Sequence, residues 1–183
     1  MKGKKEVGAV QIGIYGLGNF AAQLSWTMVS TYLVIFYTDV FGLAASSVAM
    51  LMLIAKVWDG INDPIMGAIM DKSHSKWGKY RPFILIGSIV LVIFTILTFS
   101  TPDFNDTGKL IWAYVTYIGL GMAYTVSNVP FNALPSRMTK KPDKVNKLFS
   151  ASMMGGAIGG MLLTSCTLPI VNALGNGSAQ NGY

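Results

Sequence analysis

The chain has 183 residues, 52% of them hydrophobic and 12% charged, with a mean hydropathy of +0.49. Soluble domains carry about 25% charged residues, so this composition excludes an ordinary soluble enzyme or binding module and indicates an integral membrane protein. The net charge of +6 would suit nucleic acid in a soluble chain, but here the basic residues sit between apolar runs, where they meet a membrane surface, and no nucleic-acid partner is expected.

A helix needs about 20 mostly apolar residues to span a bilayer, and five segments qualify: 12–37, 43–70, 82–100, 110–134 and 148–173. The basic start, 1–6, resembles the opening of a signal peptide. The apolar run behind it is too long and is broken by glycines and Gln23, so no cleaved signal is expected. The first helix carries Asn19, Gln23, Ser25, Trp26 and Thr27, with Gly13, Gly16 and Gly18 as sites for close helix packing.

The second helix holds the most informative pattern in the chain. Lys56, Asp59 and Asp63 are spaced three and four residues apart, so all three share one face. A carboxylate inside a bilayer costs several kcal/mol unless it is paired, hydrated or bound to a cation. A structural ion pair with Lys56 would account for one aspartate. Unless Lys56 serves both or a partner lies on another helix, the second points to a site where a cation or a proton binds, because close carboxylates tend to share a proton or recruit a cation. Asn62 and Pro64 lie in the same turn.

The third helix is the purest, with the core ILIGSIVLVIFTIL. The fourth offers Tyr124, Thr125, Ser127, Asn128 and Asn132, with Pro130 among them as an expected kink. Amides, hydroxyls and aromatic rings together suit a sugar, through hydrogen bonds to its hydroxyls and a flat contact for its apolar face; interhelical hydrogen bonding alone is the plainer reading. The fifth carries Gly155, Gly156, Gly159 and Gly160, which predict close contact with a neighbouring helix. The single Cys166 excludes an internal disulfide, and the lone His74 reads as a solvated loop residue.

Twelve of the fourteen basic residues fall in the tail 1–6 and the loops 71–81 and 135–147, all on one side of a five-helix zigzag. The positive-inside rule then predicts a multi-pass protein of the plasma (cell inner) membrane, with a cytoplasmic N-terminus and an external C-terminus. The stretch 174–183, LGNGSAQNGY, reads as an external loop. An odd number of helices ending in a loop predicts an interrupted chain.

WDGINDPIMG at 58–67 and SKWGKYRPFILIG at 75–87 resemble the glycoside–pentoside–hexuronide:cation symporter family of the major facilitator superfamily, which includes the sodium/melibiose permeases. YGLGN at 15–19, FYTDVFGL at 36–43 and YTVSNVPFNAL at 124–134 are similar as well. The resemblance implies an all-α integral membrane fold in which residues 1–173 supply five helices of a six-helix N-terminal bundle, one half of a twelve-helix transporter. It implies cation-coupled symport of a sugar or glycoside by alternating access, with sodium, lithium or a proton as coupling ion and no enzymatic activity. Asp59 and Asp63 match the family's cation-site aspartates and Thr125 a hydroxyl near that cation, with Asn62 in the same turn. These are the hard oxygen donors that sodium prefers.

Lys56 matches a basic residue beside that site. For the sugar the resemblance points to Gln23, Lys56, Tyr124, Asn128, Asn132 and Lys147. Gln23 and Asn128 stand where melibiose-type members carry aspartates, and Asn132 stands where they carry an aromatic. Both amides lose charge-assisted hydrogen bonding, so a pentoside, another glycoside or a uronide fits as well as melibiose. The missing C-terminal half is expected to be needed for transport. Two other classes are distinguishable. Intramembrane aspartyl catalysis draws its carboxylates from two helices, whereas here both lie on one. A non-transporting scaffold or sensor derived from a transporter would show no uptake.

Overall fold

The computed structural model describes residues 7–73, 78 and 80–174, with the side chains of 168 and 171–174 excepted. Its elements are α1 (Ala9–Ile35), running directly into a π-helical turn (Phe36–Val40), then α2 (Ala45–Lys72), α3 (Arg81–Thr98), α4 (Asp106–Met138) and α5 (Pro142–Leu174). All five expected helices are present and the described residues contain no strand, so the chain is an all-helical membrane protein. The loop containing His74, and the tail beyond Leu174, lie outside the described residues.

Four of the helices are long and apolar enough to cross a membrane: α1 with its π turn, α3, α4, and α5 up to Thr167. The exception is α2, which has the length, 28 residues, but carries Lys56, Asp59, Asn62 and Asp63 in its middle. The groups that mark the candidate site are the ones that lower its hydropathy.

Local chemistry explains several helix ends; α1, α4 and α5 start before the expected apolar cores. The Gly8 N–H donates to Gln11 Oε1 at 3.0 Å and closes the start of α1. Asn105 caps α4, its side-chain oxygen accepting from the Gly108 N–H at 2.9 Å. Pro142 opens α5 with Asp143 in its first turn, as the helix dipole favours. Gly42, at φ 76°, makes the left-handed turn between α1 and α2.

The helices pair in a crossed pattern: α1 packs chiefly on α5, while α4 packs on both α3 and α2. Small residues set the closest approaches. A Cβ on Gly155 would collide with the Gly16 carbonyl, and one on Gly159 would stand 3.0 Å from the Phe20 carbonyl oxygen. On α3, a Cβ on Gly87 would lie 2.7 Å from the Ser127 backbone nitrogen. The expected role of the α1 glycines needs correction. Gly16 meets α5, but Gly18 makes room for the Phe131 ring on α4, and Gly13 has no neighbour within 4 Å.

Pro135 lies inside α4. It has no N–H, so the Phe131 carbonyl four residues earlier loses its helical partner. Tyr15 supplies the replacement, its hydroxyl donating to the Phe131 oxygen at 3.1 Å while the two rings stack at 4.4 Å. This contact satisfies the carbonyl that Pro135 leaves open within α4. Tyr15→Phe keeps the ring stack and leaves the carbonyl orphaned, so stability is expected to fall by about 1–2 kcal/mol. A lower thermal midpoint in detergent would show it; an unchanged midpoint would mean that another donor serves this carbonyl.

Two apolar clusters hold the bundle. One joins Val29, Leu33, Phe36, Tyr37 and Phe41 to residues of α2, α3 and α4. The other joins Val7, Tyr15 and Leu148 around Phe131. Along α1 and α4 they bracket the segment that carries the polar residues.

Candidate functional site

Between the clusters, α1, α2 and α4 enclose a cavity of about 190 Å³. Trp26 comes from α1, Lys56, Asp59 and Asp63 from α2, and Gly121, Tyr124, Thr125, Asn128 and Val129 from α4. The face predicted from the spacing in α2 therefore borders one open-sided cavity. Asp59 is half-buried, whereas Lys56 and Asp63 are exposed in this chain.

The contacts are specific. The buried Thr125 hydroxyl donates to Asp63 Oδ1 at 2.8 Å, tying α4 to α2. This bond fixes one of the carboxylate's oxygens. Asp59 faces α4 at Gly121, where a Cβ would stand 2.9 Å from Asp59 Oδ1. Trp26 stacks on Tyr124 with centroids 4.5 Å apart, and the Lys56 ammonium lies 5.5 Å from the Trp26 ring centre. Two carboxylates, a hydroxyl and an amide thus face one space with an aromatic wall.

Among the described residues no group of three or more His, Cys, Asp or Glu comes together. The donor set fits a small hard cation that shares its shell with hydroxyl and amide oxygens, rather than a multi-carboxylate or thiolate metal centre.

Of the residues expected from sequence, Asp59, Asp63, Thr125, Lys56, Tyr124 and Asn128 line this cavity. The others are placed elsewhere. Asn62 is buried beside the carboxylates but does not line the space, and its Nδ2 has no hydrogen-bond partner. Gln23 is turned toward α5, with Nε2 3.5 Å from Thr27 Oγ1 and its chain beside Gly156. Asn132 is exposed and donates to the Asn128 side-chain oxygen. Lys147 is exposed at the start of α5, next to the buried Leu148.

The sequence reading does not single out Gly121. Its signal is a glycine four residues before Thr125, on the same face of a spanning helix. Asn128 also borders a second cavity of about 260 Å³ between α1, α3 and α4, where Ser88 and Ser127 approach to 3.1 Å.

Residues 14–183 match the family described as MFS/sugar transport protein. The chain is 43% identical over 159 residues to an uncharacterized symporter, YnaJ, of Bacillus subtilis (strain 168), covering 87% of this chain and 34% of that protein. It is 41% identical over 169 residues to a putative glycoside/cation symporter, YagG, of Escherichia coli (strain K12), covering 92% and 37%. It is 37% identical over 169 residues to an isoprimeverose transporter of Lactiplantibacillus pentosus, covering 92% and 35%. The chain thus spans about a third of the length of these curated relatives.

Proposed function

The chain belongs to the MFS/sugar transport protein family, and on that premise we propose that it is the N-terminal part of a transporter that carries a sugar or glycoside together with sodium, lithium or a proton. Its relatives are named symporters or transporters, which points to transport rather than catalysis. Residues 1–173 then make up most of a six-helix bundle, with the N-terminus cytoplasmic as the distribution of lysine and arginine favours.

The observation that carries this reading is the meeting of Asp59, Asp63 and the Thr125 hydroxyl at one cavity, with Asp63 and Thr125 in direct contact at 2.8 Å. Ionised oxygens at that position attract a cation more strongly than they would in water, because the membrane interior screens poorly. The aromatic pair Trp26–Tyr124 and the amide of Asn128 border the same space, and they suit a sugar's apolar face and hydroxyls. Binding of the cation removes the carboxylates' mutual repulsion and organises the sugar-facing wall, so each ligand improves the affinity for the other by the same factor. The inter-bundle side of the cavity, where Lys56 and Asp63 are exposed, is completed by the C-terminal half.

The test is uptake by the full-length protein in proteoliposomes. Isoprimeverose and a panel of pentosides, other glycosides and uronides serve as probes, with inward gradients of Na⁺, Li⁺ or H⁺. Accumulation of at least one probe that depends on a cation gradient is the expected result. Facilitated equilibration indifferent to all three gradients would overturn symport.

A further inference from the structure

One amide of the cavity wall is held by another. Asn128 and Asn132 lie one turn apart on α4, on the stripe that also carries Gly121 and Thr125. The Asn132 Nδ2 donates to the Asn128 side-chain oxygen. Asn128 borders the cavity between α1, α2 and α4, while Asn132 is exposed one turn further along the helix. Tyr124, one turn in the other direction, also contacts the Asn128 side chain.

A carboxamide has two chemically different ends. Its oxygen only accepts, and its nitrogen only donates, with two hydrogens. In Asn128 the oxygen is turned toward Asn132, which leaves the nitrogen, on the other arm of the amide, for the rest of the wall and its ligand. Tyr124 can take one of the two hydrogens, because a phenol oxygen accepts as well as donates. The other is left for a ligand. An aspartate at this position would offer acceptors alone.

We propose that Asn132 is a positioning residue for specificity: by donating to the Asn128 oxygen it turns the Asn128 N–H end to the substrate, so that a glycoside is selected by a hydroxyl that accepts a hydrogen bond there rather than one that donates. This rests on the symporter reading given above. An acceptor-only group at position 132 reverses the amide, because the Asn128 nitrogen must then serve it and the oxygen faces the cavity.

The reversal supplies the test, made by equilibrium sugar binding to the full-length protein. Isoprimeverose is the first probe and methyl β-xyloside the second, each with analogues in which one hydroxyl is replaced by fluorine or by hydrogen. Fluorine accepts weakly and cannot donate; hydrogen does neither. At one position the wild type should bind the fluoro analogue about two- to tenfold more tightly than the deoxy analogue, the range of one neutral hydrogen bond. Asn128→Ala should abolish that difference. In Asn132→Asp the order should reverse, because fluorine then meets the amide oxygen. Asn132→Lys, whose ammonium only donates, should keep the wild-type order. A residue that merely steadied α4 around Pro130 would not give these two substitutions opposite results.

If Asn132→Asp and Asn132→Lys leave the order unchanged, or shift it alike, the proposal is wrong. It is also wrong if neither probe binds, or if no position shows a fluoro–deoxy difference that Asn128→Ala removes, while symport stands on uptake driven by a cation gradient. Uptake that ignores every cation gradient removes the symporter reading, and the fluoro–deoxy comparison, which needs no gradient, still decides the role of Asn132.

Discussion

Asp63→Asn in the full-length transporter is expected to lower cation affinity about 10–150-fold and to abolish cation-driven accumulation at ordinary cation concentrations. Asparagine keeps the shape and one oxygen, so the change isolates the charge. Hydrogen bonds and contacts to an ionised group contribute about 1.5–3 kcal/mol each, against about 1 kcal/mol for neutral partners. In this chain Asp63 is the carboxylate that accepts from Thr125 at 2.8 Å, so its loss also leaves a buried hydroxyl facing a weaker acceptor. Thr125→Val should therefore cost less, because it removes one donor while both charges remain.

The double variant should cost less than the sum of the two single ones, since the residues share one bond. Asp59→Asn is the parallel case, with the carboxylate facing Gly121 rather than a hydroxyl. The measurement is the dependence of sugar uptake on cation concentration. If Asp63→Asn retains the wild-type dependence, the α2 carboxylates are not where the cation binds.

The carboxylate face was legible because it depends on one helix alone. Asp59 and Asp63 are one turn apart, and no packing detail moves them to different faces. The number of the helices followed from apolar runs for the same reason. What lies opposite a given face depends on how neighbouring helices rotate and approach, and that was not legible. Gln23 is one turn before Thr27 on α1, with its amide 3.5 Å from the Thr27 hydroxyl and its chain beside Gly156 of α5. Asn62 neighbours Asp63 in sequence, but adjacent helical residues point about 100° apart, and its buried side chain does not line the space that Asp63 borders. Lys147 is set by the length of the 135–147 connection, in which α4 runs on past Pro135 and α5 starts at Pro142. The Tyr15 hydroxyl that satisfies the Phe131 carbonyl in that run comes from a residue 116 positions away, beyond the reach of any local rule.

The glycines of the α1–α5 contact yield the second large effect, and it changes sign along the helix pair. Glycine inside a helix is less favourable than alanine by about 0.5–1 kcal/mol, so Gly→Ala should stabilise wherever a methyl group has room. Gly13 has nothing within 4 Å, and Gly13→Ala should raise the thermal midpoint slightly. At Gly160 the added Cβ would sit 3.5 Å from Thr27 Oγ1, an ordinary contact, and the change should be near neutral. At Gly159 it would meet the Phe20 carbonyl oxygen at 3.0 Å, which requires a small helix shift.

At Gly155 the Cβ would collide with the Gly16 carbonyl. Neither partner is a flexible side-chain end, so the helices themselves must separate. Overpacking of this kind costs about 1–3 kcal/mol for alanine, and Gly155→Val should cost more. Because α1 carries Trp26 and stacks it on Tyr124 at 4.5 Å, a displaced α1 also opens the aromatic wall of the cavity. Gly155→Val should then lose stability and ligand affinity together, unlike Asp63→Asn, which should lose far more cation affinity than stability. A Gly155→Val protein that melts like the wild type would mean that α1 and α5 do not approach at these glycines, and the placement of Trp26 beside the carboxylates would lose its support.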